Sequence, residues 1–476
     1  MTTTGTIELA GLDGGHHTLT SEQLEDLDSR VQGRLLVAGD QGWNDAVAIW
    51  NGMAARLPAL VLQPTSAHDV AAAVGFAREH GLLLSVKGGG HNIAGTSMAP
   101  GGLTLDLSRM REVSVDPQAK LAQVGPGCLL GEVDQATQAH GLATVLGFVS
   151  ETGVAGLTLG GGWGYLARRF GFTVDNLVEV EIVTADGAIR TANRDQHPEL
   201  FWALRGGGGN FGVVTRFSFR LHQVGPMITG GLIIWSAERA AEVLAAYREL
   251  TEQAPRELTA AAIVRLAPPA PFLPQVWHGK PIVGIQVCHS GANAAADLAP
   301  VRALGNPIVD LVGPKPYVAV QSMLNAMEPK WLHRYWKTWF LPGLSSEFLD
   351  VFRDGALQVT SPPSQSVLFH LAGALNDREG DDGAVGNRDA RYVGGFAGTW
   401  PPGAPAEPHV AWARNAWERI RPFSTGGNYV NFHLAEDDTA RTAAAYGSNY
   451  QRLRRVKATY DPGNLFRVNS NIPPAA

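Results

Sequence analysis

Hydrophobic residues follow two alternating periodicities in the stretch that begins at residue 60. The run "LVLQP" (60–64) is short, apolar and closed by proline, which is typical of a strand. The segment "DVAAAVGFAREHG" (69–81) has apolar residues at helical spacing and stops at a glycine, which favours a helix end. The apolar run "LLLSVK" (82–87) predicts a buried strand, and alternating leucines in "GGLTLDLSRM" (101–110) predict another. The pattern therefore indicates a strand, a helix and two further strands in succession.

The same mixture of helices and strands continues to residue 221. The segment "LLGEVDQATQAHG" (129–141) predicts a helix, and "LVEVEIVTADGAIRTA" (177–192) predicts a pair of strands. A further helix is predicted at "HPELFWALRG" (197–206), followed by an alternating strand in "FGVVTRFSFRL" (211–221). We therefore expect this part of the chain to form one α+β unit.

The composition of the chain changes between about residues 225 and 403, where proline and clustered aromatic residues become more frequent. A helical segment, "SAERAAEVLAAYRELTEQ" (236–253), alternates there with strand-like runs such as "KPIVGIQVCHSG" (280–291) and "YVGGFAGTWP" (392–401). This order predicts a second domain in which helices flank an antiparallel sheet. The segment "DDTARTAAAYGSNYQRLRRVKATYDP" (437–462) predicts helical structure near the C-terminus.

Charge and cysteine usage narrow the class of protein. The chain has 476 residues, of which 45% are hydrophobic and 17% charged, and a formal net charge of −6. This balance is typical of a globular protein and argues against a nucleic-acid or anionic-membrane partner. The two cysteines, Cys128 and Cys288, are far apart and form neither a disulfide framework nor a metal-ligand spacing. With no signal peptide or bilayer-length apolar run, we expect a cytoplasmic protein, monomeric or homodimeric, that holds no metal and acts on a small molecule.

Glycine is concentrated in four clusters, at residues 88–90, 125–127, 160–164 and 206–209. Glycines at strand ends allow the backbone to approach a ligand closely, and loop amides can form anion-binding nests for a pyrophosphate. The cluster in "VGPGCLLG" superficially resembles a nicotinamide-binding fingerprint. Its third glycine is displaced, however, and no acidic residue stands near position 145 to hold a ribose hydroxyl. A long flavin dinucleotide surrounded by several loops is the favoured ligand, and a Rossmann dinucleotide fold remains the alternative.

Several motifs, in this order and spacing, carry a family resemblance. They are "LPALVLQPTSAHDVAAAVGFAREHG", "KGGGHNIAG", "GLTLGGGWGYLARRFGFTVDNL", "ADG", "FWALRGGGGNFGVVT" and "YDPGNLFRVNSNIPP". The chain resembles the flavin-linked oxidases of the vanillyl-alcohol oxidase superfamily with a PCMH-type FAD-binding domain. Within that superfamily it is similar to the berberine-bridge-enzyme-like group and to bacterial 6-hydroxynicotine-oxidase-like proteins.

The resemblance implies an α+β fold of two domains, in which the FAD domain is split around a substrate domain. The FAD domain is expected to comprise residues 1–222, with its PCMH-type core at about 57–222. The substrate domain, an antiparallel sheet flanked by helices, is expected at residues 223–415. The C-terminal segment, residues 416–476, would return to the FAD domain.

The resemblance also implies FAD bound covalently through a single histidine. In the family, the histidine of the "KGGGHNIAG" loop, here His91, is joined to the 8α-methyl group of the flavin. Many relatives carry a second link from a cysteine, but the matching position here is Val149. Cys128 lies about twenty residues too early, and we interpret it as a buried apolar residue. The alternative for His91 is an ordinary hydrogen bond within its loop.

Further flavin contacts follow from the same motifs. Thr152 matches the family's gatekeeper beside the flavin C4a, and its small size favours oxygen access; alternatively, Thr152 only packs against its loop. The resemblance implies cofactor contacts at His91, Lys87, Gly88, Gly89, Gly90, Asn92, Gly95, Thr152, Gly153, Gly156, Leu157, Gly160, Gly161, Gly162, Gly164, Val183, Asn469 and Asn471.

Candidate catalytic residues come from two segments. The stretch "NYVNF" resembles a family strand that carries tyrosines near the flavin, and it gives Tyr429 and Asn431, with Phe432 in place of a second tyrosine. Tyr429 is then a candidate base or substrate-orienting group, or alternatively a strand tyrosine that covers the core. In "RYWKTWF", alternation predicts Trp336 and Thr338 on one strand face and Tyr335, Lys337 and Trp339 on the other.

Resemblance to amine-oxidising relatives makes Lys337 a candidate pocket group, with a surface position on the sheet as the alternative. Trp336, Trp339 and Tyr335 are candidates for the substrate pocket. The expected activity is hydride transfer from a small alcohol, phenol, amine or secondary metabolite to flavin, with reoxidation by O₂ to H₂O₂. The alternatives are a flavin dehydrogenase with another electron acceptor, a carbohydrate oxidase and, less favoured, a non-catalytic flavin-binding protein.

Overall fold

The computed structural model describes residues 6–380 and 382–476. The first five residues of the expected FAD domain lie outside this part of the chain. None of the helices within these ranges combines the length and apolar character needed to cross a bilayer.

The N-terminal part contains a hairpin and a mixed sheet. The hairpin is formed by β1 (Ile7–Ala10) and β2 (His16–Leu19). The sheet has the order β3-β4-β6-β5 and consists of β3 (Arg34–Leu36), β4 (Leu60–Gln63), β5 (Leu84–Lys87) and β6 (Leu103–Asp106). Because β4, β5 and β6 run parallel, their carboxyl ends lie at one edge, and the loop that contains His91 begins there.

A second sheet, with the order β11-β10-β12-β8-β7, completes the first unit of the structure, residues 6–223. The remaining two strands of this region, β9 and β13, pair with each other. The strands are β7 (Val113–Asp116), β8 (Leu121–Val124), β9 (Leu142–Ala143), β10 (Leu177–Val183), β11 (Ile189–Asn193), β12 (Val213–Arg220) and β13 (His222–Gln223).

Helices cover both of these sheets. They are α1 (Ser21–Ser29), α2 (Trp43–Ala46), α3 (Ala67–Glu79), α4 (Leu130–Gln138), α5 (Val154–Leu159), α6 (Ala167–Phe170) and α7 (Pro198–Leu204). The helix predicted at residues 69–81 is α3. It begins where the Ser66 hydroxyl accepts a hydrogen bond from the amide of Asp69, and Gly81 follows its end with a φ of +61°.

The middle unit of the structure, which begins at Met227, forms an antiparallel sheet. Its strand order is β17-β14-β16-β15-β20-β21-β19, and β18 also pairs with β14. One face packs on helices, and the other faces the first unit. The strands are β14 (Met227–Ser236), β15 (Leu258–Leu266), β16 (Pro281–His289), β17 (Val309–Asp310), β18 (Gly313–Pro316), β19 (His333–Leu341), β20 (Gln365–His370) and β21 (Tyr392–Trp400).

The helices of this region and of the C-terminus complete the fold. They are α8 (Ala240–Gln253), α9 (Ala294–Asp297), α10 (Ala299–Arg302), α11 (Tyr317–Gln321), α12 (Ser346–Ala356), α13 (Glu407–Ile420), α14 (Thr439–Tyr446) and α15 (Tyr450–Tyr460). The boundary expected at residue 415 falls inside α13. Because α13 packs on β19 and β21, the middle unit extends through Ile420, a small correction to the expected division.

A buried ion pair within the C-terminal segment contains the lysine that binds this segment to the first unit. The Lys457 ammonium donates to the Asp461 carboxylate at 2.6 Å and to the carbonyl of Asn210 at 2.7 Å. Asp461 in turn accepts from the amides of Leu465 and Phe466. Both charged side chains are almost completely buried, so each depends on the other for its partner.

We expect Lys457→Met to lower the free energy of unfolding by about 3–5 kcal/mol, because it leaves the Asp461 carboxylate buried and unpaired. Chemical denaturation measures this effect. Arg455→Met, at an exposed position of the same helix, is the matched control and should change stability by less than about 0.5 kcal/mol. Equal effects of the two substitutions would contradict the role given to Lys457.

Candidate active site

A cavity of about 340 Å³ lies where the two units meet. The first unit contributes residues of the glycine loops, 88–93, 152–153 and 155–157, together with residues such as Phe148 and Trp163. The middle unit contributes side chains from β19, β20 and β21, and residues 429–432 of the C-terminal segment close one side. The cavity is therefore built by all three parts of the chain.

Two glycine loops meet backbone to backbone in the wall of this cavity. A Cβ on Gly89 would lie 2.4 Å from the amide nitrogen of Gly153, and a Cβ on Gly153 would lie 2.2 Å from the amide nitrogen of Gly89. No side chain fits at either position, so this contact requires glycine on both loops. A Cβ on Gly156, in contrast, would meet nothing within 4 Å, because that residue borders the open cavity.

His91 is held in the first of these loops by an aromatic stack. Its ring lies parallel to that of Trp50, with centroids 4.4 Å apart and an interplanar angle of 17°, and the guanidinium of Arg334 lies 3.8 Å from the Trp50 centroid. Burial and, secondarily, the charge of Arg334 lower the pKa of the His91 imidazole to about 3. The ring is therefore neutral near pH 7, and its Nε2 has no hydrogen-bond partner among the described residues.

Asn51 connects the His91 loop to the middle unit. Its side-chain amide donates to the carbonyl of Ile93 at 2.6 Å and to that of Arg334 at 3.1 Å, and its oxygen accepts from the Arg334 amide at 2.9 Å. Asn51 is fully buried, so these bonds form away from competing water. The loop that carries His91 is thus fixed relative to β19.

The cavity roof is one face of β19, β20 and β21, and its residues form cross-strand rows. The rows are Trp336–Ala397–Gln365, Thr338–Gly395–Val367 and Val393–Phe369. The first row has polar groups, because Gln365 lies beside Glu328. The last row is aromatic and apolar, since Phe148 stacks on Phe369 with centroids 4.8 Å apart.

The donor and acceptor groups of the cavity fit a flavin dinucleotide. The amides of residues 89–92 donate to no other group in the described part of the chain, and such a row of free N–H groups suits a pyrophosphate or a polar ring edge. Side-chain atoms are also left without partners there, as expected where a ligand supplies them. Among the described cavity residues these atoms are Trp50 Nε1, His91 Nε2, Ser97 Oγ, Trp336 Nε1, Thr338 Oγ1, Tyr446 Oη and Asn469 Oδ1.

Many of the residues expected to contact the cofactor or substrate line this cavity. They are Gly88, Gly89, Gly90, His91, Asn92, Thr152, Gly153, Gly156, Leu157, Asn469, Tyr429, Asn431 and Trp336. Val149, the position that the family resemblance matches to a cysteine link in many relatives, also lines the cavity, whereas Cys128 is buried in the core of the first unit.

The glycines of the third cluster do not face the cavity, contrary to the expectation. A Cβ on Gly160 would lie 2.2 Å from the Asn431 side chain, and a Cβ on Gly164 would lie 1.9 Å from the carbonyl of Leu146. Gly161 and Gly162 have positive φ angles of 116° and 72°. The protein's own segments fill the space that these glycines leave, so their role is to admit neighbouring chain and not FAD.

Lys87 and Gly95 also point away from the cavity. The Lys87 ammonium donates to the carbonyl of Ala46 at 2.7 Å and lies 3.5 Å from the Asp106 carboxylate, so it holds the strand ends together. A Cβ on Gly95 would lie 2.4 Å from the carbonyl of Ala54, which makes this glycine part of a tight turn.

Val183 and Asn471 are likewise outside the residues that line the cavity. Val183 packs in the core behind Val213, its cross-strand partner, which does line the cavity. Asn471 follows the last lining residue of the C-terminal segment. The amide of the next residue, Ile472, donates to the side-chain oxygen of Asn210, and the Ile472 side chain is buried in the core of the first unit.

Tyr429 and Asn431 hold the turn at the end of α5. The Tyr429 hydroxyl accepts from the amide of Gly162 and from the Asn431 side chain, each at 2.9 Å, and Asn431 also donates to the carbonyl of Leu157. Burial raises the pKa of Tyr429 above its ordinary value, which does not favour its action as a base. The segment forms a 3₁₀ turn, Val430–Phe432, and not the expected strand.

Alternation along β19 is confirmed, but only one of its faces reaches the cavity. Trp336 and Thr338 line the cavity, whereas Tyr335, Lys337 and Trp339 face the helices on the other side of the sheet. The Lys337 ammonium donates to the Glu436 carboxylate at 2.6 Å. The placement of these three residues in the substrate pocket is therefore wrong, and Lys337 is a structural ion-pair residue.

Several residues in or beside the cavity were not predicted from the sequence. Trp50, Glu328 and Gln365 line the cavity. Asn51 and Arg334 do not line it, but they contact the lining residues Ile93 and Trp50. Arg334 shares the face of Trp336 and Thr338 on an alternating strand, and this spacing could have identified it. Glu328 follows a short 3₁₀ turn in a connection with no periodic pattern, so no sequence signal marked it.

Comparison with known proteins gives independent findings on the whole chain. A family model described as "FAD binding domain" matches residues 58–193, and one described as "Berberine and berberine like" matches residues 428–473. An FAD-linked oxidoreductase of Dictyostelium discoideum is 30% identical over 89% of this chain and 91% of its own.

The (R)-6-hydroxynicotine oxidase of Paenarthrobacter nicotinovorans is 30% identical over 93% of this chain and 97% of its own. The crystal structure of 6-hydroxy-D-nicotine oxidase from Arthrobacter nicotinovorans has a TM-score of 0.81 at 28% identity, covering 94% of this chain and 98% of that one.

We expect Gly153→Ala to lower the free energy of unfolding by about 1–3 kcal/mol, because the new methyl group collides with the backbone of Gly89. Gly156→Ala, three residues later, is the matched control and should leave the stability of the flavin-free protein unchanged or slightly raised. Thermal unfolding of both flavin-free variants measures this difference. A Gly153→Ala variant as stable as wild type would contradict the close contact of the two loops.

Proposed function

The chain belongs to the berberine-bridge-enzyme-like family of FAD-linked oxidoreductases, and from this we propose that it is an oxidase with FAD attached covalently through His91 alone. Its two-domain α+β fold is the one expected for that family. The observation that carries the proposal is the neutral imidazole of His91 in the cavity wall, whose Nε2 has no hydrogen-bond partner among the described residues.

The environment of His91 favours its use as a nucleophile. An imidazole with a free lone pair can form a bond to carbon, whereas a protonated ring cannot. Burial and the charge of Arg334 keep the ring neutral by lowering its pKa, and the stack on Trp50 fixes its orientation. The glycines that precede His91 allow its loop to pack closely on neighbouring backbone, which holds the histidine in the cavity wall.

The absence of a second link follows from the residues at the two relevant positions. Val149 lines the cavity but has no sulfur. The Cys128 thiol is buried in the core of the first unit, and its sulfur lies 3.6 Å from the carbonyl of Glu112. Burial raises the pKa of this thiol to about 12. A thiol in this state is a poor nucleophile.

When bound, FAD supplies the two-electron acceptor that takes a hydride from substrate carbon and passes the electrons to O₂ as H₂O₂. The residues of this chain then bind and orient both molecules. The amides of residues 89–92 and the Asn469 side chain bind polar atoms of the cofactor. Trp336, Val367 and Phe369 exclude water from the side of the cavity where the substrate is bound.

The roof of the cavity favours a small, largely apolar organic substrate. A relative that is 30% identical is named for the oxidation of (R)-6-hydroxynicotine, which is a small heterocyclic molecule. A carbohydrate would require more hydrogen-bonding groups than this roof presents. Thr152 in the cavity wall agrees with oxygen access, and a dehydrogenase with another electron acceptor is the second candidate.

The test of the proposed function is peroxide release from a panel of small aromatic and heterocyclic alcohols, phenols and amines. We expect at least one member to bleach the flavin anaerobically and to yield H₂O₂ when air is admitted. Bleaching followed by slow reoxidation in air would instead support the dehydrogenase, and a flavin that no member reduces would contradict the proposal.

His91→Ala is expected to abolish covalent attachment. Flavin fluorescence of the denatured protein, observed in an acid-treated SDS gel, should be present in wild type and absent in this variant. Cys128→Ser is the control and should retain full fluorescence, because its thiol does not reach the cavity. Fluorescence that survived in His91→Ala would place the link on another residue.

Substitutions on the two faces of β19 should have unequal effects on turnover of a substrate found in the panel. Lys337→Met should change kcat by less than about threefold, because its ammonium lies on the helix side. Trp336→Ala should lower kcat/KM by about 10- to 100-fold through loss of substrate positioning. A large loss of kcat in Lys337→Met, with unchanged thermal stability, would show that Lys337 acts in catalysis and would contradict its structural role.

A further inference from the structure

Among the described residues that line the cavity, Glu328 alone carries a carboxylate, and none carries an ammonium or a guanidinium group. The Glu328 side chain is only 13% exposed and lies at the polar end of the roof, beside Gln365 in the first row. A buried carboxylate in a largely apolar cavity is costly unless it has a function or a full set of partners.

The partners of Glu328 leave part of its hydrogen-bonding capacity unused. One oxygen accepts from the Gln365 side chain at 3.3 Å, and the other lies 3.5 Å from the Arg334 guanidinium. Both contacts are long, and a carboxylate can accept about four hydrogen bonds. Lone pairs therefore remain for a donor on a ligand in the cavity.

Two arginines hold this carboxylate in place, Arg334 directly and Arg265 through Gln365. Arg334 is fixed by the carbonyls of Trp50 and Pro329, and Arg265 reaches the Gln365 oxygen at 3.4 Å. Neither guanidinium lines the cavity. Arg334 also contacts Trp50, so Glu328 belongs to the same rigid group of side chains that positions His91.

From this geometry we propose that Glu328 is the catalytic base, which accepts the O–H or N–H proton of an aromatic or heterocyclic substrate. The inference rests on the proposed function and specifies its substrate class and its base. The substrate lies with its ring under the Thr338–Gly395–Val367 row and its donor group directed at Glu328. Tyr429, whose hydroxyl accepts two hydrogen bonds from the protein, is a positioning residue.

The proton and electron balance of the reaction is simple. The O–H or N–H bond of the substrate breaks, its proton forms a new bond to a Glu328 oxygen, and the C–O or C–N bond becomes double. The hydrogen on the carbon of that same bond would leave with its two electrons, which the bound cofactor would accept. With the electrons passed to O₂, this hydrogen and the proton released by Glu328 appear together in H₂O₂.

Burial raises the pKa of Glu328 above its ordinary value, and the charges of Arg334 and Arg265 oppose this shift. A base must be deprotonated to act, so the rate of flavin reduction should rise with pH through the raised pKa and then level off. This pH dependence of the reduction rate should be absent in a variant that has no titratable side chain at position 328.

The first experiment is anaerobic stopped-flow reduction of the flavin-loaded enzyme by a substrate from the panel. We expect Glu328→Gln to lower the reduction rate by about 10²–10⁴-fold and to remove the low-pH limb of the profile. Glu328→Asp, which keeps the carboxylate, should retain the limb with a smaller loss of rate. Glu436→Gln removes the carboxylate that pairs with Lys337 on the other face of the sheet, and it should leave the profile unchanged.

The second experiment tests binding alone and needs no turnover. Titration of the oxidised enzyme with phenol and with anisole, its methyl ether, is followed by perturbation of the flavin spectrum. Wild type should bind phenol at least tenfold more tightly than anisole, and Glu328→Leu should lose this preference. A wild-type protein that binds both equally, or neither, contradicts the inference.

Failure of the inference can be told apart from failure of the proposed function. Protein without flavin absorbance, or flavin that no panel member reduces, overturns the proposed function. A flavin-loaded Glu328→Gln variant that is reduced as fast as wild type, with the same pH profile, overturns the role of Glu328 and leaves the oxidase intact.

Discussion

The backbone contact between Gly89 and Gly153 is the constraint on which the rest of the active site depends. It joins the loop after β5 to the start of α5 at a distance that no side chain permits. The His91 loop therefore cannot move independently of the cavity wall. Asn51 then fixes the same loop to β19, so the histidine, the wall and the roof keep one relative position.

The two units of the chain contribute different kinds of chemical groups to the site. The first unit presents glycine loops, and the free amides of residues 89–92 suit a long anionic cofactor of invariant structure. The middle unit presents side chains in cross-strand rows, which can change individually without disturbing the fold. The group formed by His91, Trp50, Arg334 and Glu328 connects the two. Through it, the proposed attachment site of the flavin and the proposed base share a common support.

The parts of the fold that could be predicted from the sequence are those determined by interactions between residues close together in the chain. Helix α3 was predicted from its spacing and terminal glycine, and the two faces of β19 from strand alternation. Alternation does not say which face meets the cavity, and so Lys337 was misplaced. Glycine density shows where space is needed but not what fills it, which explains the error at residues 160–164. Glu328 depends on tertiary contacts from a loop, and no periodic pattern could reveal it.

The central claim is that one histidine in a glycine loop binds the flavin covalently. Mass spectrometry of proteolytic peptides from the denatured holoenzyme tests it most directly, because a covalent adduct survives unfolding whereas bound cofactor does not. We predict that the peptide containing His91, and no other, carries the additional mass of FAD. Release of all flavin on denaturation, or an adduct on a peptide that contains Val149, Cys128 or any other residue in place of His91, would contradict the claim.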